Sequence, residues 1–344
     1  MDRSGDTERR PLFPDAPAQT LGETHADIAR RDEAPIAPVA DGRRAGPRVA
    51  IFTDKMDWHI ESIAAALARQ GARPVPVRLE ACRIDTSRPG GLAIPGFRAA
   101  LPDAAIVRAI GDGTLEAVTL RLGVLHALEA LGVPLVNTAR AIERCTDKSM
   151  ASFLILRAGL ATPRTFVTQS PSEARAFARR ECASGPLVMK PLFGAQGWGL
   201  RLIFREEDLP PPEDARGVYY LQRFVKPHGP LYEDTRALVS RGKIVGAMRR
   251  RSQQWITNVR QGARPIGVEL SSRESEVALA AAAALGADLA GVDLIAGADG
   301  EPNVLEVNSM PGWSGLQRVT SLSISDRLAA DALAGITAAR RAFA

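Results

Sequence analysis

Gly291-Val-Asp-Leu-Ile-Ala296 and Pro302-Asn-Val-Leu-Glu-Val-Asn-Ser-Met-Pro-Gly312 are the stretches whose reading decides the fold. Each reads as a strand, and Ala298-Asp-Gly-Glu301 between them reads as a turn. Glu306 and Asn308 are two apart, so their side chains leave the second strand on one face. Asp293 on the partner strand reaches the same place. Two carboxylates and one amide oxygen make an oxygen-only donor set, which suits Mg²⁺ or Mn²⁺ rather than zinc or copper. Val304, Leu305 and Val307 are apolar and are expected to pack the other face on a core. Taken alone, the same residues also describe a polar surface hairpin with solvated acids, and the rest of the chain has to decide.

A chain of 344 residues, 45% hydrophobic and 24% charged, has room for two or three ordinary globular domains. No apolar run approaches the roughly 20 residues of a membrane span, and the N-terminal stretch lacks the apolar centre of a signal peptide. The expectation is a cytoplasmic protein with no membrane partner. Cys82, Cys145 and Cys182 are odd in number and far apart, and His25, His59, His126 and His228 do not cluster. That gives neither a disulfide framework nor the spacing of a His/Cys metal centre. The net charge of +5 is spread out, with no aromatic-interleaved basic run, so no nucleic-acid partner is expected. Nearly all positive charge is Arg. Against that bias the five lysines, Lys55, Lys148, Lys190, Lys226 and Lys243, mark places where a compact ammonium is wanted.

Residues 1–46, rich in Pro, Arg, Asp and Ala without hydrophobic period, read as a disordered extension. Strands at Arg48–Thr53, Arg73–Leu79, Ala104–Arg108 and Val133–Asn137 alternate with helices at Trp58–Gln70 and Leu115–Leu131. This argues for a parallel α/β domain over 47–140, with ligands gathering beyond the carboxyl ends of its strands, where Arg108 and Gly113 lie. From Thr146 the pattern becomes a mostly antiparallel α+β region. It divides into 141–220 and 221–344, with helices at Asp147–Ala158, Ser170 onward, Arg273–Ala287 and Ser325–Arg341.

Several pieces of that region suggest chemistry. Gly194-Ala-Gln-Gly-Trp-Gly199 after a strand could cradle phosphates with its backbone N–H groups, or merely turn a hairpin. Lys190 closes the apolar strand Leu187-Val-Met and is either snorkelling or set against an anion. Gln222-Arg-Phe-Val225 could be an edge strand offering its backbone to a flat base. Asp234 and Arg236 share a face. Arg249-Arg-Arg251 is a solvated run or a clamp for a transferring phosphoryl group.

In order, Asp147-Lys148, Thr162-Pro-Arg-Thr165, Met189-Lys-Pro191, Gly194 to Gly199, Gln222 to Val225, Asp234-x-Arg236, Ala247-Met-Arg-Arg250, Thr257-Asn258, Gly291-Val-Asp293 and Leu305-Glu-Val-Asn-Ser-x-Pro-Gly312 resemble the ATP-grasp superfamily, and within it the ribosomal-S6-modification-type α-L-glutamate ligases. Ile110-Gly-Asp-Gly-Thr-Leu-Glu116 and Glu143-Arg-Cys-Thr-Asp-Lys148 look like the tetrahydromethanopterin:α-L-glutamate ligase branch, which adds glutamate to a C1-carrier pterin.

The resemblance implies an ATP-grasp fold: a parallel pre-ATP-grasp domain, then two α+β subdomains clasping ATP. It implies that Lys148, Lys190, Gly194, Gln196, Gly197, Gly199 and Asn258 hold the phosphates. Gln222, Arg223, Phe224 and Val225 would line adenine and ribose, and Asp234 with Arg236 would hold the ribose or order the site. Asp293, Glu306 and Asn308 would bind two Mg²⁺ or Mn²⁺, Arg249 and Lys190 would stabilise the transferring phosphoryl, and Arg108, Gly113, Ser309 and Gly312 would meet the substrate. Arg223 stands where the family usually has Glu, which puts a side-chain contact to the base in doubt. The expected reaction joins a carboxylate acceptor to L-glutamate through an acyl phosphate. Another glutamate, dipeptide or protein-tail ligase, or a non-catalytic ATP-binding module, remains an alternative, and a homodimer is left open.

Overall fold

Four parallel strands open the fold: β1 (Arg48–Phe52), β2 (Arg73–Val77), β5 (Ala104–Val107) and β6 (Leu135–Val136), ordered β2-β1-β5-β6. The computed structural model describes residues 46–342 apart from Pro89, Ala99, Ala195 and Gln196. The expected disordered extension therefore lies outside the described residues, except for Gly46. Helix α1 (Trp58–Arg69) starts where the Asp57 carboxylate accepts from the N–H groups of His59 and Ile60 at 2.9 and 3.2 Å. Thr114 caps α2 (Leu115–Ala130) in the same way. A short ribbon, β3 (Arg83–Ile84) with β4 (Leu92–Ala93), fills the crossover between β2 and β5.

Two helices precede the second sheet, α3 (Ala139–Thr146) and α4 (Lys148–Arg157). The first was not expected from sequence. Its cap is Thr138 and its apolar stripe is Ala139, Ile142 and Cys145, short enough to be missed beside the longer helix that follows. The second sheet has antiparallel β7 (Thr165–Thr168), β10 (Tyr219–Arg223), β8 (Leu187–Lys190) and β9 (Arg201–Ile203), in that order, covered by α5 (Pro171–Cys182) through Phe177 and Ala178.

The third sheet is antiparallel, ordered β13 (Arg264–Gly267), β12 (Lys243–Ser252), β11 (Tyr232–Ser240), β14 (Leu289–Ala296) and β15 (Pro302–Asn308). One face is apolar. Ala237, Val239, Val292, Leu294, Val304 and Val307 pack under α6 (Ser272–Leu285), with α3 and α4 completing the cover. Leu305 does not join them. Asp293 pairs with Glu306 but Leu294 pairs with Val304, so Leu305 is the extra residue of a bulge and turns to a cavity wall. After β15 come the single turn α7 (Ser314–Gln317) and α8 (Ile324–Ala342). Helix α8 returns to α1, and Ile324, Leu328 and Ala332 share one core with Ile51, Ile63, Leu238 and Leu316. Among the described residues, no helix is long and apolar enough to cross a membrane.

Candidate active site

The polar face of the third sheet builds the site by register alone. Asp234 lies opposite Arg250, Arg236 opposite Asp293, Asp293 opposite Glu306, and Gly291 opposite Asn308. Directly paired residues project to the same side, and residues two apart on one strand do too, so these groups share one face across four strands. Arg236 grips Asp293 in a fork, Nε to Oδ1 at 2.7 Å and Nη2 to Oδ2 at 2.6 Å. Arg250 is buried between two carboxylates: its Nε donates to Asp234 Oδ1 at 2.7 Å, and its Nη2 lies 2.9 Å from Asp293 Oδ2. The Thr257 hydroxyl donates to Asp234 Oδ2 at 2.8 Å. Burial alone would push the Asp293 carboxyl up, but Arg236 and Arg250 outweigh it and hold it at about 2.

Arg249, the expected clamp, and its neighbour Arg250 leave β12 on different faces. Arg249 pairs with Thr235, on the opposite face of the sheet, and reaches Glu233 at 3.4 Å and Glu274 at 3.9 Å. It borders the cavity from there, whereas Arg250 points at the carboxylates. Strand parity decides between neighbours in an arginine run, and the sequence could have shown it once Asp234 and Arg236 were set opposite the right residues of β12.

Lysines and a glycine loop stand over this row. Lys148, first in α4, donates from Nζ to the Gly194 carbonyl at 2.7 Å and lies 4.0 Å from Glu306 Oε1. Lys190 ends β8 with its ammonium 5.8 Å from the Tyr220 ring centroid. Burial lowers its pKa, the Glu306 carboxylate opposes that, and the Lys148 charge adds to it. Of the glycines in the loop, Gly197 is the one the structure demands. Its φ is +76°, and a Cβ there would stand 2.6 Å from Asn258 Oδ1. The loop is thus seated on residues 256–261. Gly194 and Gly199 also take positive φ, and Gln196 lies outside the described residues.

A cavity of about 960 Å³ runs from Phe224 and Trp255 past Asp234 to Lys190 and Glu306. Gln222 is buried, donating to Thr165 Oγ1 at 2.9 Å, and Val225 lines the wall beside it. Arg223 points the other way, because it follows Gln222 on β10. Its Nη2 is 2.5 Å from Glu181, which also holds Arg164 at 2.9 Å and Arg180 at 3.1 Å. The departure at this position therefore puts no charged side chain on a base. Phe224 meets Tyr232 and Trp255 edge to face, at 6.3 and 6.2 Å.

The donor set can be tested for a cation. Glu306 is about one-third exposed and faces the cavity. Asn308 Oδ1 accepts from Met310 N at 2.9 Å and keeps a second lone pair. Asp293 accepts three guanidinium N–H contacts, fewer than the roughly four sites a carboxylate offers. No cluster of three or more His, Cys, Asp or Glu fit to hold a metal occurs among the described residues. The set fits a hard cation that arrives with oxygen ligands of its own, as Mg²⁺ does on nucleotide phosphates.

The expected substrate residues divide. Ser309 is buried with its carbonyl 2.6 Å from Asn137 Nδ2, and Gly312 adjoins His59. Arg108 braces the same loop instead of facing the cavity: Nη2 donates to the Pro311 carbonyl at 2.7 Å and the guanidinium lies 4.7 Å from the Trp313 ring. Its Nε and Nη1 are buried with no partner among the described residues, and burial brings its pKa down to about 10. Gly113 is elsewhere, beside Arg121. Arg250 and Thr257 lie in motifs the sequence offered, without a role assigned to either, and Asn137 and His59 were missed from sequence.

Residues 145–332 match the model of the RimK-like ATP-grasp domain. The tetrahydromethanopterin:alpha-L-glutamate ligase of Methanococcus maripaludis is 31% identical over 294 residues, 83% of this chain and 98% of that protein. The Methanosarcina acetivorans protein of the same name is 31% identical over 77% of this chain and 92% of its own length. Among solved structures, the ATP-grasp ligase PsnB with a minimal precursor superposes with a TM-score of 0.67 at 23% identity, covering 85% of this chain and 99% of that one. PsnB has also been solved with Mg and ADP, at a TM-score of 0.64, 23% identity, and coverage of 84% of this chain and 98% of that one. The matched span holds the lysines, the glycine loop and the whole row of paired charges, and the chain belongs to the RimK-like ATP-grasp family of ATP-dependent carbon–nitrogen ligases.

Proposed function

We propose that the protein joins L-glutamate to a carboxylate on a tetrahydromethanopterin-type C1 carrier. The observation that carries the reading is the row Asp234, Arg250, Asp293 and Glu306 under Lys148 and Lys190, in a chain 31% identical to a ligase named for that reaction. An acceptor carboxylate oxygen attacks the γ-phosphorus of ATP, the bond to the bridging oxygen breaks, and ADP leaves. The glutamate amine then attacks the acyl carbon, loses a proton, and phosphate departs as the amide forms. Such steps need in-line positioning and charge neutralisation more than a nucleophilic side chain. Lys148, Lys190 and the loop 194–199 hold the phosphates. Arg250 faces the transferring phosphoryl, with Asp234 fixing its angle and Arg236 fixing Asp293. Asp293, Glu306 and Asn308 would hold the divalent cation, which neutralises phosphate charge when bound. Phe224, Tyr232 and Trp255 wall the base end.

The test is ADP release with MgATP, L-glutamate and tetrahydromethanopterin acceptor, beside a Glu306→Ala control. Acceptor-dependent ADP that falls at least about a hundredfold in the control is expected. ATP binding without turnover on this acceptor, followed by turnover on a peptide acceptor, would replace the pterin with a protein tail. Binding without turnover on any carboxylate would leave a nucleotide-binding module.

A further inference from the structure

Beyond the cavity, three side chains from the first four-stranded sheet and its connections reach across to the segment that follows β15. Asn137 fixes both the start of β14 and the Ser309 carbonyl, donating to the Leu289 and Ser309 oxygens at 2.7 and 2.6 Å and accepting from Leu289 N at 2.8 Å. Arg108 holds Pro311. His59, the second residue of α1, does something different: its Nε2 accepts from two consecutive backbone N–H groups, Trp313 at 3.1 Å and Ser314 at 3.2 Å. Its ring meets that of Trp313 edge-on at 4.8 Å, and a Cβ on Gly312 would stand 3.4 Å from Nε2.

Only an imidazole whose proton sits on Nδ1 can accept at Nε2. Asp57, 3.6 Å from Nδ1, favours that tautomer. The charged groups that face the ring among the described residues are Asp57, from the cap of α1, and Arg108, from the end of β5. Burial lowers the His59 pKa and the Arg108 charge lowers it further, against the opposing pull of Asp57.

We propose that His59 is a positioning residue for the acceptor substrate, a latch from α1 that pins residues 311–314, the segment that runs on from Glu306 at the cavity wall. The kinetic part of this inference rests on the ligase reading above; the latch itself does not. A proton on Nε2 would turn the acceptor into a donor facing two N–H donors, and the loop would be released. Because the folded pKa is below the ordinary histidine value, the latch is complete above that ordinary value and is lost as pH falls through the lower, folded one.

Backbone hydrogen exchange over residues 309–318 tests it in the full chain, comparing wild type with His59→Ala and His59→Gln. Glutamine offers an acceptor oxygen that does not titrate. At neutral pH the alanine variant should exchange about tenfold faster or more over Trp313 and Ser314, as loss of a partly buried acceptor shared by two N–H groups implies, while glutamine stays close to wild type. Stepwise acidification below the ordinary histidine value, corrected for intrinsic exchange, should open the segment in wild type and leave glutamine protected. In turnover, His59→Ala should raise the acceptor KM about tenfold with the ATP KM and kcat within about twofold. Alanine as protected as wild type, or glutamine and wild type opening together in acid, overturns the latch. Exchange needs no acceptor, so absence of turnover in every variant would count against the ligase reading and leave the latch to be decided by exchange.

Discussion

Arg250 carries more of the site than any other single side chain, because it is the only counter-ion shared by Asp234 and Asp293 among the described contacts. Removing it leaves two buried carboxylates short of charge, a loss of about 3–5 kcal/mol in comparable buried pairs. Arg250→Ala is therefore expected to lower the urea midpoint sharply and to abolish ADP release. Arg249→Ala, on the other face with its ends at Glu233 and Glu274, should cost under about 1 kcal/mol and leave turnover within about fivefold. Equal losses in the two variants would remove Arg250 from its proposed place. Asp293 gives a pH signature. Its carboxyl is held at about 2, below the roughly 3.9 of an unfolded chain, so its share of stability is complete above about pH 4 and is lost as pH falls through about 2. That difference is worth about 2–3 kcal/mol. Asp293→Asn should flatten the acid limb of stability measured by denaturant titration, and an unchanged limb would show the loss comes from other carboxylates.

At the scale of elements, the hairpin β14–β15 was legible because its polar residues alternate with apolar ones that found the α6 side, Val292, Val304 and Val307 among them. The bulge at Leu305 was not, since one extra residue changes parity without changing composition. The same limit hid Arg250: a run of identical residues carries no phase, and phase comes only from the partner strand. Helix α3 was obscured for another reason, its eight residues lying just ahead of the stronger cap at Asp147. The glycine loop was visible as a loop but not as something seated on Asn258. Gly197→Ala places a Cβ into that amide at an unfavourable φ, and loop closure should suffer. The expected result is a kcat about ten- to a hundredfold lower with the fold intact by circular dichroism; wild-type kcat would show that the loop closes by a different path.

For the whole molecule, the first sheet and the third are joined by one core rather than by a linker. Ile51 and Ile63 from the beginning meet Leu238 and Leu316 from the middle and late chain, and His59, Arg108 and Asn137 add polar ties at the same boundary. The second sheet has a core of its own, and places Lys190 and the glycine loop at the cavity. Helix α8 extends the argument to synthesis. Ile324, Leu328, Ala329 and Ala332 cover the α1 side of a sheet whose first strand is made nearly three hundred residues earlier. A ribosome-bound nascent chain that stops short of residue 324 has those apolar positions uncovered, so the opening α/β layer must wait for translation to run through α8 before it can close. Arrested chains ending near residue 310 should stay protease-sensitive around Ile60 to Leu67, and chains extended past residue 342 with a tethering tail should become resistant together at both ends.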